Sequence, residues 1–363
     1  MIETLLMIGT RKGLWLARSD EQRDDWQLDG PHFLMNEVIA CAVDARGDRP
    51  RLLAGAMSSH FGPQVFRSDD LGASWHETPN GAIRFPEDTG RALEQVWQLA
   101  LGSSHEPSVV YAGTQPSALF RSEDRGETFS MVRALWDHPH REQWSAGFGG
   151  QAIHTIIPHP DDPDVMTVAM STGGVYQTTD GGKSWNPANV GVKAYFMPDP
   201  WPEFGQCVHK VAVHPSRPAR MFLQNHHGVY RTDDGGAHWQ SIADGLPSDF
   251  GFPIVVDPHD PDTVFVFPLI ADAQRIPPGG RPRVWRSRDA GETWEELSKG
   301  LPEGDFYAGV MRDAMCADDA RPTGLYFGSR DGNVYASNDD GESWRLIASH
   351  LPDVMCVRAA LLS

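Results

Sequence analysis

The chain has 363 residues, 40% of them hydrophobic, with 31 basic and 49 acidic side chains and a net charge of −18. That composition can fill a large core, and its acidity argues against nucleic acid as a partner. No apolar run nears the length of a membrane span, and residues 1–9 lack a basic leader and a small-residue cleavage site, so the expectation is a soluble cytoplasmic protein with no membrane partner.

In chain order, residues 5–29 predict three short strands around Ser19-Asp20-Glu21-Gln22-Arg23-Asp24-Asp25-Trp26. A better-formed version of that octet then recurs six times as Ser/Thr-x-Asp-x-Gly-x-Ser/Thr/His-aromatic. The copies are Ser68 to Trp75, Ser122 to Phe129, Thr178 to Trp185, Thr232 to Trp239, Ser287 to Trp294 and Ser337 to Trp344. Their aspartates Asp70, Asp124, Asp180, Asp234, Asp289 and Asp339 lie 54, 56, 54, 55 and 50 residues apart. A steady period of this size marks one supersecondary unit copied along the chain.

The fourth unit shows the grammar. Residues 152–157 predict a first strand (A), His159-Pro160 a turn, 165–170 a second strand (B), 175–178 a third (C) and Trp185 the start of a fourth (D). Residues 207–213, 221–223 and 228–230 repeat it, with His214-Pro215 as the turn, and 252–257 and 310–318 fill the first-strand slot. Glycine, proline and aspartate between short apolar runs predict four-stranded antiparallel meanders. The start of the chain lacks a first strand, and residues 354–361 predict a lone one. The expected fold is therefore all-β: a seven-bladed β-propeller forming a single domain over residues 1–363, its ring closed by N-terminal strands B, C and D and C-terminal strand A.

The octet has a structural explanation. Its glycine permits positive φ, its hydroxyl and carboxylate can bond turn amides, and its aromatic covers apolar surface. No active site needs six copies. Cys41, Cys207, Cys316 and Cys356 match neither a zinc nor a disulfide spacing, and are expected as buried free thiols in a reducing compartment.

The octets resemble the Asp-box, or bacterial neuraminidase repeat, of sialidases, sortilin-type receptors, xyloglucanases and photosystem II assembly factors. The whole chain resembles bacterial proteins with this repeat that are often labelled exo-alpha-sialidase or glycosyl hydrolase. That likeness rests on Gly9-Thr10-Arg11-Lys12-Gly13-Leu14, Glu94-Gln95-Val96-Trp97-Gln98, Trp136-Asp137-His138-Pro139, Pro202-Glu203-Phe204-Gly205-Gln206-Cys207-Val208-His209-Lys210 and Ser248-Asp249-Phe250-Gly251-Phe252-Pro253. It implies an Asp-box propeller and little chemistry. Sialidases use six blades and an Arg-Ile-Pro motif ahead of the first box. Here Arg275-Ile276-Pro277 precedes a late box and seven blades are expected, so sialidase activity does not carry over.

Function is expected where loops differ, on the face opposite the octets. The connections 78–93, 133–151 and 187–206 and the loop 269–282 are long. Loops supply Arg11, Lys12, His60, Phe61, Gln115, His226, His227, Arg330 and Asp331 to that face. The first-strand slot of His209 is filled in other units by His154, Trp97, Phe252 and Asp313, and three residues earlier stand Glu94, Gln151, Gln206 and Asp249. In one reading, His60, His154, His209 and His226 hold a divalent metal (Zn, Mn or Fe), with Glu94 or Asp249 completing the shell. The alternative makes His154 and His209 hydrogen-bonded links between blades. In a second reading, two carboxylates among Glu94, Asp249, Asp313 and Glu203 hydrolyse a glycoside, with sugar rings on Trp97, Trp144 or Phe61. Arg11, Lys12, Gln151, Gln206 and Arg330 would then bind substrate. A third reading is a noncatalytic scaffold with a protein partner. Tyr195 and Tyr307 read as packed side chains. The expected function is a hydrolase or lyase site for a small molecule or glycan, with that metal as its sole cofactor or with none.

Overall fold

The computed structural model describes residues 3–77, 83–147, 150–271 and 273–362. Residues 78–82, 148–149 and 272, which fall in three of the long segments named above, lie outside the described residues. Among the described residues no helix is long and apolar enough to cross a membrane. The chain divides into two compact units, both all-β.

One unit comprises Met35–Asn189 and Pro202–Val208. Its strands form three antiparallel meanders. The first joins Glu37–Asp44, Arg51–Ser58, Gly62–Ser68 and His76–Glu77. The second joins Gln95–Leu101, Val110–Gln115, Ala118–Ser122 and Ser130–Met131. The third joins Ile153–Pro158, Met166–Met170, Gly174–Thr178 and Asn186–Pro187. The inner strands read as apolar runs because both faces are covered. Met166–Met170 is buried along its whole length, whereas the two-residue fourth strands are largely exposed.

The other unit comprises the residues up to Leu34, Val190–Trp201 and those from His209 onward. One meander runs Met221–Asn225, Val229–Thr232 and Gln240–Ser241 beside the strand Val208–Val213. A second joins Phe250–Val256, Val264–Leu269, Val284–Ser287 and Glu295–Leu297. A third joins Val310–Ala317, Leu325–Ser329, Val334–Ser337 and Arg345–Ala348. The last strand, Val354–Leu362, pairs antiparallel with the first, Glu3–Thr10, which continues into Gly13–Asp20 and Gln27–His32. Both chain ends thus share one meander, and no strand edge of Glu3–Thr10 is left unpaired. A parallel bridge at Asp313 and Cys356 joins this meander to its neighbour. Leu6, Ile8, Phe250, Phe265, Phe267, Tyr326, Phe327 and Val357 are buried in one core cluster.

Each octet closes in the same way. Ser68 Oγ accepts from Gly72 N at 2.7 Å and donates to Asp70 Oδ1 at 2.7 Å, and Asp70 accepts from Ser74 N and Ser74 Oγ. Asp124, Asp180, Asp234, Asp289 and Asp339 repeat these bonds, with His238 replacing the hydroxyl at Asp234. Within the second unit the octets also contact the preceding loop. The carbonyls of Val190 and Lys299 each accept from a tryptophan amide, Trp239 N and Trp344 N, at 2.8 Å. The following residues must be glycine, because a Cβ at Gly191 or Gly300 would lie 2.1 Å from a tryptophan carbonyl oxygen.

These bonds hold the octet carboxyls low. Hydrogen bonds from Ser74, from Ser184 and from His238 bring Asp70, Asp180 and Asp234 from 3.8 to about 2. A depressed folded pKa means that the unfolded chain binds more protons, so this stability is complete above pH ~4 and is lost as pH falls towards ~2. The urea midpoint should drop steeply across that window, and Asp180→Asn should flatten the drop. Equal slopes in wild type and variant would exclude the octets as its source.

None of the four cysteines is in a disulfide. Cys41, Cys316 and Cys356 are buried, and burial pushes the Cys316 thiol up to about 12. Cys207 corrects the expectation: it is only partly buried, and it stands just before the strand that begins at Val208 rather than in it.

Candidate functional site

The unit containing both chain ends gathers most of the chemistry. His209 lies on the strand Val208–Val213, and its Nδ1–H donates to the Gly251 carbonyl at 2.6 Å. That bond puts the lone pair on Nε2. Burial holds the ring well below the ordinary imidazole value, with Arg312, His226 and Arg275 acting in the same direction. His209 stacks on Phe252 at 4.6 Å between ring centroids, and meets His226 edge-on at 5.4 Å. Phe250 packs against both histidines.

From His226 the rings continue outward to His227 and then Tyr195, with centroid separations of 4.9 and 5.2 Å. Tyr195 and Phe196 are each 54% exposed and Trp201 56%, so three large aromatics within seven residues face solvent. Lys193 Nζ stands 4.2 Å from the Tyr195 ring centre and 5.6 Å from that of Trp201. Lys193 thus stands by both the Tyr195 and Trp201 rings, and uncovered rings beside a cation favour adhesion. Asp249 has a carboxylate oxygen 3.6 Å from His227 Nδ1. The main chain of Asp249 is pinned, since its carbonyl accepts from Gly228 N at 3.1 Å and Gln224 Nε2 at 2.9 Å. Its carboxylate is partly exposed.

Further along the same unit is a pocket of about 410 Å³ lined by Phe252, Arg275, Tyr307, Met311, Arg330 and Asp353, among others. Arg330 donates from Nε and Nη2 to one oxygen of Asp353, at 3.2 and 2.8 Å, and Arg11 Nε reaches the same oxygen at 3.3 Å. Lys12 is held by its backbone amide on Thr10 Oγ1. Asp313 is buried. Its Oδ1 accepts from Lys210 Nζ and from Arg358 Nη2, each at 2.6 Å, and these two cations hold its carboxyl far below the usual range against the cost of burial. An acid so committed to its charge is a structural counter-ion and a poor proton donor.

The remaining sequence candidates belong to the other unit. Glu94 is exposed and accepts from Gln115 Nε2 at 2.8 Å, while Gln115 Oε1 accepts from Trp97 Nε1 at 3.2 Å. His154 is fully buried, with Nδ1 3.0 Å from Thr155 Oγ1 and Nε2 2.9 Å from the Val208 carbonyl. Both nitrogens are committed, so ligation of a metal would break one of these bonds. His60 and Phe61 sit on an exposed turn organised by Ser58 Oγ. Gln151 contacts Met170 Sδ, and Gln206 is fully buried with Nε2 on the Pro202 carbonyl. Only His209 and His226 of the four predicted metal ligands are brought together within one unit.

Tyr195 and Tyr307 are corrections, since 54% and 68% exposure exclude packed side chains. Sequence reasoning also missed Phe196, Trp201, Lys193 and Asp353. The usable signal was the aromatic content of the long connection 187–206. This unit of structure also explains His214, which spans to the Pro258 carbonyl at 2.9 Å as a turn residue.

No family model matches the chain. A probable oligoxyloglucan-reducing end-specific xyloglucanase of Neosartorya fischeri is 26% identical over 292 residues, covering 69% of this chain and 33% of that protein. A xyloglucanase of Acetivibrio thermocellus is 22% identical over 279 residues, covering 68% of this chain and 31% of that protein. The chain thus spans about a third of the length of these curated relatives. Among solved structures, a Niastella koreensis GH74 enzyme superposes with a TM-score of 0.64 at 16% identity, over 95% of this chain and 52% of that one. At that identity the likeness establishes the fold class, a β-propeller like those of glycoside hydrolases, and not the activity.

Proposed function

We propose that the chain binds a glycan along Tyr195, Phe196 and Trp201 and acts on it as a hydrolase through Asp249. The observation that carries this reading is the exposure of Tyr195, Phe196 and Trp201, with Lys193 over two of these rings and Asp249 beside His227, which meets Tyr195 edge-on. The C–H faces of pyranose rings suit uncovered aromatic rings, while Lys193 and His227 offer donors to hydroxyls. Asp249 would give a proton to the glycosidic oxygen as the C–O bond breaks, or as a carboxylate take one from the attacking water. The xyloglucanase relatives supply the substrate class, a neutral β-glucan oligosaccharide. Glycoside hydrolysis needs a second carboxylate, and Glu94→Gln and Glu203→Gln test the two exposed glutamates among the candidates, each on its own.

The seven meanders of the described strands and the six octets support a single seven-bladed Asp-box propeller over residues 1–363.

Xyloglucan oligosaccharides should bind the wild-type chain in a calorimeter and be shortened on incubation. Trp201→Ala and Tyr195→Ala should each weaken binding by about tenfold, in line with the loss of one stacked ring, without lowering thermal stability. Unchanged affinity in both would sink the platform.

A second reading is favoured by the His209–His226 pair. His209 has its tautomer set by Gly251, as metal-bound imidazoles do, so the two rings fit two ligands of a divalent ion. Elemental analysis of protein purified without chelator or affinity tag decides it, since absence of a stoichiometric transition metal removes this reading. Binding without hydrolysis would leave a recognition scaffold.

A further inference from the structure

The pocket bounded by Phe252 and Arg330 is separate in chemistry from the aromatic row. It is a concavity of about 410 Å³, roomy enough for one sugar ring, and two guanidinium groups, those of Arg275 and Arg330, line it. Arg330 is locked by its two bonds to a single oxygen of Asp353, which leaves Nη1 outside that pair. Arg11 braces the same carboxylate from the first loop of the chain. Arg275 stands where a loop closes, with its amide on the Ile270 carbonyl at 3.0 Å and Ile270 N on the Ile276 carbonyl at 2.7 Å. Its φ of +48° is a conformation L-residues seldom adopt, and it delivers the guanidinium 5.4 Å above the Phe252 ring. Strain of this kind persists where the surroundings over-determine it, and it concentrates at ligand clamps. Gly309 permits the approach, because a Cβ there would lie 3.0 Å from the Arg275 carbonyl oxygen.

The rim is of a different character. Tyr307 is 68% exposed and offers an uncovered ring face. Asp331 is fixed by Ser329 Oγ and by Asn333 Nδ2 and so presents acceptors at a set place. Arginines, one aromatic face and ordered acceptors within one sugar-sized hollow match a ring that carries both hydroxyls and a carboxylate. The lining sets two arginines, Arg275 and Arg330, against two aspartates, Asp331 and Asp353, so a carboxylate would be recognised by the placing of the guanidinium groups and not by a local excess of positive charge.

We infer that this pocket binds a carboxylate-bearing saccharide residue, a uronate, with the carboxylate on Arg275 and Arg330 and the ring on Tyr307. The inference goes beyond the neutral-glycan reading and does not need hydrolysis, so either can fail without the other.

The test titrates the full-length protein with methyl β-D-glucuronide, methyl β-D-glucoside and acetate, by calorimetry or by perturbation of NMR signals. The glucuronide should bind at least about tenfold more tightly than the glucoside, the difference expected of one charge-assisted pair. Arg275→Met and Arg330→Met should each abolish that preference, with Arg275→Lys restoring part of it. Tyr307→Ala lies on an exposed rim residue, keeps the fold, and should weaken the glucuronide while leaving acetate unaffected. The inference is overturned by equal affinity for the two sugars, by binding of neither, or by acetate binding as tightly as the glucuronide. The last result would mark a simple anion site. Should either arginine variant fail to fold, the wild-type sugar comparison and Tyr307→Ala still decide.

Discussion

Asp249→Asn should lower kcat on a susceptible xyloglucan oligosaccharide by about 100- to 10,000-fold, the range by which positioned proton transfer accelerates reactions. Binding should be nearly unchanged. The amide has the shape of the acid, and the bonds that position residue 249 come from its main chain, where Gly228 N and Gln224 Nε2 donate to the carbonyl. What disappears is the transferable proton. Stability should hold too, because the carboxylate is partly exposed and His227 pairs with it only at 3.6 Å. A pair of that kind contributes ~0–1 kcal/mol. Initial rates at saturating substrate, alongside calorimetric affinity, separate the outcomes. Full activity in the variant removes Asp249 from the chemistry. An equal loss of affinity and rate would make it a binding group. No hydrolysis by the wild-type chain on any oligosaccharide would leave only the recognition surface.

Asp318→Ala should cost ~3–5 kcal/mol of stability, the usual consequence of stranding a buried partner. The buried carboxylate accepts from Arg23 Nη1 at 3.1 and 3.2 Å and from Tyr326 OH at 2.7 Å. It also accepts from the amides of Gly324 and Ala320, at 2.8 and 3.0 Å. Arg23 comes from the degraded first octet, where it takes φ +59° and where its Nη2 also reaches the Pro322 carbonyl. The pair therefore fastens the opening turn of the chain to a turn some 300 residues later. Removing the acid leaves the guanidinium in the interior and four donors without their acceptor. The control is Asp24→Ala, which breaks a neighbouring but exposed pair with Arg345 worth ~0–1 kcal/mol. Replacing both buried partners with apolar residues, Arg23→Met with Asp318→Leu, should recover only the part due to the stranded guanidinium, because Tyr326 OH and the amides of Gly324 and Ala320 still lose their acceptor. Urea unfolding of the four proteins measures it, and an Asp318→Ala cost no larger than the control would refute the buried-pair account.

The octets and the pairing of the chain ends were legible because their determinants are local. Each octet closes through bonds between residues two and four apart, as from Ser68 to Asp70 and from Asp70 to Ser74, so composition and spacing carry the whole turn. The missing first strand at one end and the lone strand at the other are likewise visible as pattern. Strand limits shifted by only a residue or two, as where Phe250–Val256 starts two residues earlier than the apolar run suggests. Cys207 fell outside its strand for the same reason, since a strand edge is set by hydrogen-bond pairing and not by hydropathy.

The chemistry was legible only in part. Asp249 and the His209–His226 pair stood out in sequence because repeat equivalence predicts shared surroundings. Asp313 stood out equally, yet its role depends on Lys210, 103 residues earlier, and on Arg358, 45 later. Nothing in the spacing of those three residues announces a shared carboxylate oxygen. Arg275-Ile276-Pro277 likewise has no significance as a tripeptide. It acquires one when the turn sets the guanidinium above Phe252. By itself, then, the sequence determined the repeat, its turns and the meeting of the two ends, because short-range hydrogen bonds and alternating burial are written residue by residue. The tertiary structure decided which charges are spent on one another and which rings stay uncovered, because desolvation and pair distances depend on strands that the sequence keeps far apart.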